Sequence, residues 1–578
     1  MMRAPAAIVC VLLLAGVLPA QQGSSAPSPS SAAHPASGAS LPEPSGFRLA
    51  GVVVNAATGQ PMASASVAIA RLARGASRDI SQSVVTGPDG HFAFSALAQG
   101  KYSLVGRARG FGFQAFERHD QYSTAIAVGS GLDSEHLVFR LQPDASLDGV
   151  VTDENNDPVQ YAMVRLFYAK SRDGGQRGGP IQSTQTDDQG HYRLGHLEPG
   201  VYYLAVSARP WYAQNVRAPS YTEYYKQFTG GPGAAAQNTQ DDATLDVTYP
   251  LTFYPDATDS ADALPLQLAP GAHETANMVL RAVPSLHLRI HSGEGAQKPS
   301  MEHMAFPRVS QRIFDGYLDS VFNAPESSAP GVVEIAGLAP GHYVIEVPAS
   351  SSANEKASSR AWYREIDLAG DADINANDNP GFAAVGGSIL FENAAVPTGA
   401  SIELMNPETG ESFRSSINSR GGFEFPADSV RPGRYLVALE SARDFYVKRL
   451  VATGGKMAGR ALEVGPSANV RLAAIAAAGE GQVDGTALHD DVAFSGAMIV
   501  LVPQDAADNA PLFRRDQSDS DGTFTLPNIV PGQYTVIALA NGWDLDWSSP
   551  AVLQPYLKRG AVVQVPPGGK LQVKVQVQ

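Results

Sequence analysis

Polar and apolar residues alternate along this chain in short runs, and glycine or proline ends each run. Single residues separate Ala65, Val67 and Ile69, as they do Ala162, Val164 and Leu166, Ala400, Ile402 and Leu404, and Ala497, Ile499 and Leu501. Period two sends successive side chains to opposite faces, so each run predicts a half-buried β-strand. Glycine turns follow at Asp89-Gly90, Gln189-Gly190, Arg420-Gly421 and Asp521-Gly522, with Pro330-Gly331 in a less regular stretch. Such turns need the positive φ that glycine adopts at little cost. Each leads to an apolar strand, then to a Gly-x-Tyr step ending in Tyr102, Tyr202, Tyr343, Tyr435 and Tyr534. In four copies the turn glycine and the Gly of Gly-x-Tyr lie ten residues apart, and the fourth copy is two residues longer. So regular a spacing predicts one structural unit repeated, not a single large domain. A tyrosine beside a chain reversal can bury its ring and bond its hydroxyl to nearby backbone, as in a tyrosine corner. Nothing in the pattern reads as a long amphipathic helix.

The repeats divide the 578 residues into about five sandwiches. The expected units are 47–143, 144–284 with an aromatic-rich insertion at 210–255, 285–369, 381–477 and 478–578, with a polar linker at 370–380. Ahead of them, residues 1–20 carry one basic residue, an apolar run and a terminal Ala20, the layout of a secretory signal peptide. Residues 21–46, rich in Ser, Pro and Ala, predict a disordered tether that cannot bury enough apolar surface to order itself. The single cysteine, Cys10, would leave with the signal peptide. No second apolar run is long enough to span a bilayer, so the mature chain is expected without a transmembrane segment, secreted or periplasmic and associated with the cell envelope.

Charge narrows the partners. A net charge of −15 with only 17% charged residues argues against nucleic acid, which selects basic patches. With 56 glycines and 41 prolines beside 44% hydrophobic residues, the composition supports many short strands.

The ordered set Gly-x-Val, turn-Pro, Ala-x-Val-x-Leu, Asp-Gly-x-Phe and Leu-x-Pro-Gly-x-Tyr resembles the carboxypeptidase regulatory-like (transthyretin-like) domain. Units one, two and five carry it best; in unit two Pro158, Ala162, Asp188, Gly190, Tyr192, Leu197, Pro199, Gly200 and Tyr202 are in place. Unit four keeps Ala400, Phe423, Pro432, Gly433 and Tyr435, and unit three only Gly331 and residues 338–343. The resemblance implies a sandwich of about seven strands, grouped with carbohydrate-binding-like folds and usually non-catalytic. The expected fold class is therefore all-β: a tandem array of transthyretin-like or immunoglobulin-like β-sandwich domains.

Candidate chemistry is sparse. Asp371, Asp373, Asn375 and Asn377 place oxygen ligands at alternate positions, as a hard cation such as calcium requires. Ala376 and Phe382 occupy places where a calcium loop needs Gly and Glu, so a solvated linker is the competing expectation. His291 and Glu294 match a His-x-x-Glu zinc spacing, but four-residue matches arise by chance. Asp519 and Asp521 are expected to serve the hairpin turn. Aromatic loops are the better ligand candidates: Trp211, Tyr212, Tyr221, Tyr224 and Tyr225 in unit two, Trp543 and Trp547 at the matching place in unit five. Aromatic faces stack on sugars or on apolar protein surface, and the competing expectation is packing between sandwiches. The chain is thus expected not to be an enzyme and to need no cofactor. It reads as an exported string of sandwiches that binds carbohydrate or another envelope component, or a protein partner, as a surface scaffold. The alternative is an accessory or regulatory subunit for an exported enzyme or an outer-membrane transporter.

Overall fold

The computed structural model describes residues 46–72, 82–169, 179–213, 243–291, 307–314, 317–321, 326–329, 332–347, 361–378, 380–442 and 444–578. The expected signal peptide, nearly all of the tether, Tyr221, Tyr224 and Tyr225, and the Pro330-Gly331 turn expected in the third unit lie outside them.

The fold is all-β, a tandem array of sandwiches, and each is wound the same way. The first strands are Phe47–Asn55, Ala145–Thr152, Leu286–His291, Ala384–Phe391 and Gly481–His489. Each pairs antiparallel with the strand after the glycine turn, at His91–Leu97, His191–Leu197, Val332–Leu338, Gly422–Glu424 and Thr523–Ile529. On its other side it pairs parallel with the last strand of its own sandwich: Leu137–Leu141, His273–Thr275 with Met278–Val279, Ala372–Asn375, Asn469–Ala478 and Lys570–Gln576. The second sheet centres on the alternating strand and the tyrosine strand, paired antiparallel as in Ser66–Arg71 with Gly100–Ala108. Ala372–Asn375 therefore corrects the linker expected at 370–380. Ala372 and Ile374 point to the core between exposed Asp371, Asp373 and Asn375, so the alternating polar positions are one face of a strand.

Each sandwich has its own core. Tyr102, Tyr202, Tyr343, Tyr435 and Tyr534 fall in five separate buried clusters. Their hydroxyls do what the reversal suggested, each donating to the carbonyl four residues upstream: Ala98 at 2.9 Å, Glu198, Ala339 at 2.8 Å, Arg431 at 2.9 Å and Val530 at 2.6 Å. A second recurring bond escaped the sequence reading. Thr86, Thr186 and Ser518, each four residues before a turn glycine, are buried. Each hydroxyl donates to a carbonyl of the facing loop, Met62, Val159 or Phe494, and accepts from the amide that opens the alternating strand.

The sandwiches touch their neighbours in order. Arg118 meets Glu198 at 3.0 Å between the first and second. Phe314 of the third enters an aromatic cluster of the second, its ring centroid 5.2–5.3 Å from those of Phe167, Tyr203 and Phe253. Arg431 of the fourth pairs with Glu346 of the third at 3.1 Å, and Arg434 of the fourth with Asp508 of the fifth at 2.9 Å.

The turn glycines generate a test. Gly421 has φ +83°, and a Cβ there would sit 2.2 Å from the Ile389 carbonyl oxygen. Gly399 has the same hand, φ +82°, with nothing within 4 Å. Gly399→Ala is expected to cost only left-handed strain, about 1–2 kcal/mol. Gly421→Ala should cost more, by several-fold faster hydrogen exchange across the fourth sandwich; equal effects would count against the close-contact account.

Candidate functional site

The aromatic candidates meet different fates. Trp543 and Trp547 follow the tyrosine strand of the fifth sandwich, Gly532–Leu539; Trp543 turns toward the first, and Trp547 packs on Phe513 and Arg515 of its own sandwich. Trp543 stacks on His119, centroids 4.7 Å apart and planes 7° from parallel, while its Nε1 donates to the Gly496 carbonyl at 3.1 Å. The Arg515 guanidinium lies over Tyr122, Trp543 and Trp547, 4.9, 5.7 and 4.5 Å from their centroids, and pairs with Asp120 at 3.1 Å. Cation–π contacts of this kind strengthen as water leaves, and the Arg515 side chain is only 2% exposed. These rings therefore belong to a seam between the first and fifth sandwiches. Trp211 is 81% exposed, and it meets Tyr212 edge-on at 5.7 Å. The Tyr212 hydroxyl donates to Glu154 at 3.3 Å.

The seam is also a dense set of hydrogen bonds. Lys101 pairs with Asp519 and donates to Thr523 Oγ1 at 2.6 Å. The Ala125 amide donates to Asp519 Oδ1 at 2.9 Å, the Ser520 amide to the Ala125 carbonyl at 3.0 Å, and the Ala127 amide to Ser520 Oγ at 2.8 Å. Gln517 Nε2 donates to the Glu117 carbonyl at 2.7 Å and to Thr124 Oγ1 at 2.8 Å. Equivalent turns explain how this arises. Asp187 and Asn418, three residues before their glycines, accept from amides of their own turns. In the fifth copy Asp521 takes over that duty for the Thr523 amide. The Asp519 backbone still closes the turn, but its carboxylate is released to the first sandwich. The expectation that both aspartates serve the hairpin holds for one carboxylate and is corrected for the other.

The calcium candidates are placed apart in function. Asp371 Oδ1 accepts from the His287 amide at 3.0 Å, and Asp373 Oδ1 meets His291 Nε2 at 2.7 Å. Asn377 lies in the short 3-10 turn Ala376–Asp378. No cluster of three or more His, Cys, Asp or Glu side chains suited to a metal is present among the described residues. His291 of the zinc spacing is the partner of Asp373, and Glu294 lies outside the described residues.

Residues 48–141 and 146–239 match the family model of the carboxypeptidase regulatory-like domain. The chain carries two such domains in tandem. No curated protein matches it at a significant level. Among solved structures it is similar to the Bacillus anthracis TIE protein, at 12% identity over 90% of this chain and 69% of that one, TM-score 0.15. It is also similar to the minor pilin of Streptococcus agalactiae, at 13% over 41% and 96%, TM-score 0.20. The major pilin subunit of Bacillus cereus matches at 11% over 75% and 99%, TM-score 0.13. Similarity at that level does not bear on function.

The seam thus joins the first regulatory-like domain to the last sandwich, and it carries unusual carboxyls. Burial raises Asp519 above the usual range against the pull of Lys101. At Asp516 burial dominates, the Asp519 charge adds to it and the Thr525 and Gln517 amides oppose it, leaving the carboxyl at about 6 against an ordinary 3.8. The folded chain therefore holds this proton more tightly than the unfolded chain does. Ionisation of Asp516 opposes folding above about pH 6, and the penalty vanishes as pH falls below 3.8. Asp516→Asn, which keeps an acceptor for the Thr525 amide, is expected to melt higher than the wild type at about pH 7.5 and alike at pH 3.8. Thermal melts across that range decide it; an equal difference at both ends would sink the assignment.

Proposed function

We propose that this chain is a non-catalytic scaffold of the cell envelope or surface whose sandwiches, clamped end to end, bind carbohydrate or another envelope component. The seam carries this reading. It gives Lys101, Arg515, Trp543 and Trp547 to docking the fifth sandwich on the first, a use that fixes geometry and supports a scaffold. Two regulatory-like domains lie within the clamped body, and Trp211 presents an open ring of the kind that stacks on sugar C–H surfaces. The apolar N-terminal run read above supports export.

The test is direct binding by the full chain. Purified protein is applied to a glycan array and sedimented with isolated cell-wall and outer-membrane material. Retention by at least one glycan class or envelope fraction is the expected result. Failure to bind any of them would remove the reading.

A further inference from the structure

The third and fourth sandwiches enclose a cleft of about 620 Å³ that neither the seam nor the aromatic loops involve. That volume lies inside the range of ~300–1,000 Å³ common for small-molecule sites. One wall, from the third sandwich, carries Arg312, Tyr363 and Glu365; the other, from the fourth, carries Asn406, Glu411 and Arg431. The walls are fixed to each other. Arg431, its side chain only 7% exposed, reaches Glu346 at 3.1 Å and Glu411 at 2.7 Å. Its carbonyl is the one that receives the Tyr435 hydroxyl, so the floor of the cleft is tied to a tyrosine corner. A backbone bridge from Trp362 to Gly381 joins the same two walls.

The lining chooses among ligands by charge. Three guanidinium groups, Arg312, Arg364 and Arg431, face three carboxylates, Glu365, Asp378 and Glu411, so an ionic ligand meets as much repulsion as attraction. Arg312 already pairs with Glu365 at 2.7 Å and Arg431 with Glu411. A guanidinium has five N–H donors and a carboxylate roughly four acceptor sites, so one carboxylate at Arg312 and two at Arg431 still leave donors and acceptors side by side. Adjacent hydroxyls, each a donor and an acceptor, match that arrangement. The Tyr363 ring, held by Phe382 at 5.5 Å, adds a half-buried aromatic surface. Burial also raises the Glu411 carboxyl, the mark of a place from which water is partly excluded.

We infer that this cleft is a binding site for a neutral oligosaccharide of two or three rings, an assignment that rests on the carbohydrate reading above and gives it a location. Arg431, through Glu346, joins the two sandwiches, and the ion pairs within each wall serve as hydroxyl ligands.

Titration calorimetry and saturation-transfer NMR on the full chain test this with maltotriose, cellotriose, tri-N-acetylchitotriose and, as a charged comparator, trigalacturonate. At least one neutral trisaccharide is expected to bind, and trigalacturonate more weakly. Arg312→Gln should weaken binding ~tenfold, the size of one lost hydrogen bond to a charged group. Thr409→Trp, which puts a large ring into the cleft and removes none of its charged side chains, should abolish it, and Trp211→Ala should leave it unchanged. Melting curves establish that each variant is folded; if Arg312→Gln is not, Thr409→Trp alone decides. Binding that survives Thr409→Trp and is lost in Trp211→Ala would overturn the cleft and keep the carbohydrate reading. Binding of trigalacturonate alone, or of no trisaccharide, would overturn the cleft assignment, and the glycan array then judges the wider reading separately.

Discussion

The structure depends on one backbone constraint: the first strand of every sandwich is hydrogen-bonded on both sides, to the strand after the glycine turn and to the strand that ends the unit. Its parallel partner arrives only when the unit is complete, so no sandwich closes until its last residues are in place. The approach is tight. A Cβ at Gly51 would lie 2.2 Å from the Leu137 carbonyl oxygen, at Gly149 2.1 Å from that of Ala276, and at Gly387 2.0 Å from that of Leu472. Those glycines, followed two residues on by Val53, Val151 and Ile389, are there for contact with the closing strand. The tyrosine corners and the buried Thr86, Thr186 and Ser518 hydroxyls then hold the loops that carry the chain between the sheets. Each such bond is worth only about 1 kcal/mol net, but leaving any of these buried hydroxyls unpaired would cost more.

Between sandwiches the means differ from junction to junction. The second and third share an aromatic cluster around Phe314, and the buried Arg165–Asp319 pair crosses beside it. His287 of the third stands between Asp246 and Glu334; burial works against its charge, yet the two carboxylates hold it above its ordinary value. The first and second, and the fourth and fifth, meet through partly exposed ion pairs, each worth little alone. The seam changes that balance. With the fifth sandwich docked on the first, opening any one junction is resisted by the others, because tethered partners remain at high effective concentration.

Much of this was written plainly in the amino-acid order. The alternating Ala162, Val164 and Leu166, the turn at Gly190 and the step to Tyr202 specify strand, hairpin and corner by local physics, and local physics repeats with the sequence. What stayed hidden was long-range. Asp187 and Asp519 occupy the same place in the repeat, yet one accepts from its own turn and the other from Ala125 of a distant sandwich. Asp371, Asp373 and Asn375 looked like ligands because polar residues at alternate positions were weighed without the apolar Ala372 and Ile374 between them. Read as period two, the same stretch is an ordinary edge of a half-buried strand.

The tryptophans make the same point about function. Trp211 and Trp543 follow equivalent strands in their sandwiches, and nothing in the flanking residues separates them. Trp543 has His119 and Arg515 to stack on because the fifth sandwich meets the first; among the described residues Trp211 meets the edge of Tyr212 and stays 81% exposed. An aromatic loop is thus an unassigned adhesive surface, and the order in which the sandwiches pack decides whether the chain itself covers it. The polar cleft between the third and fourth sandwiches follows the opposite rule. Its charges balance in number and Arg312 and Arg431 already hold carboxylates, so packing has met much of the walls' charge without filling the space between them, and what remains selects hydroxyls over ions.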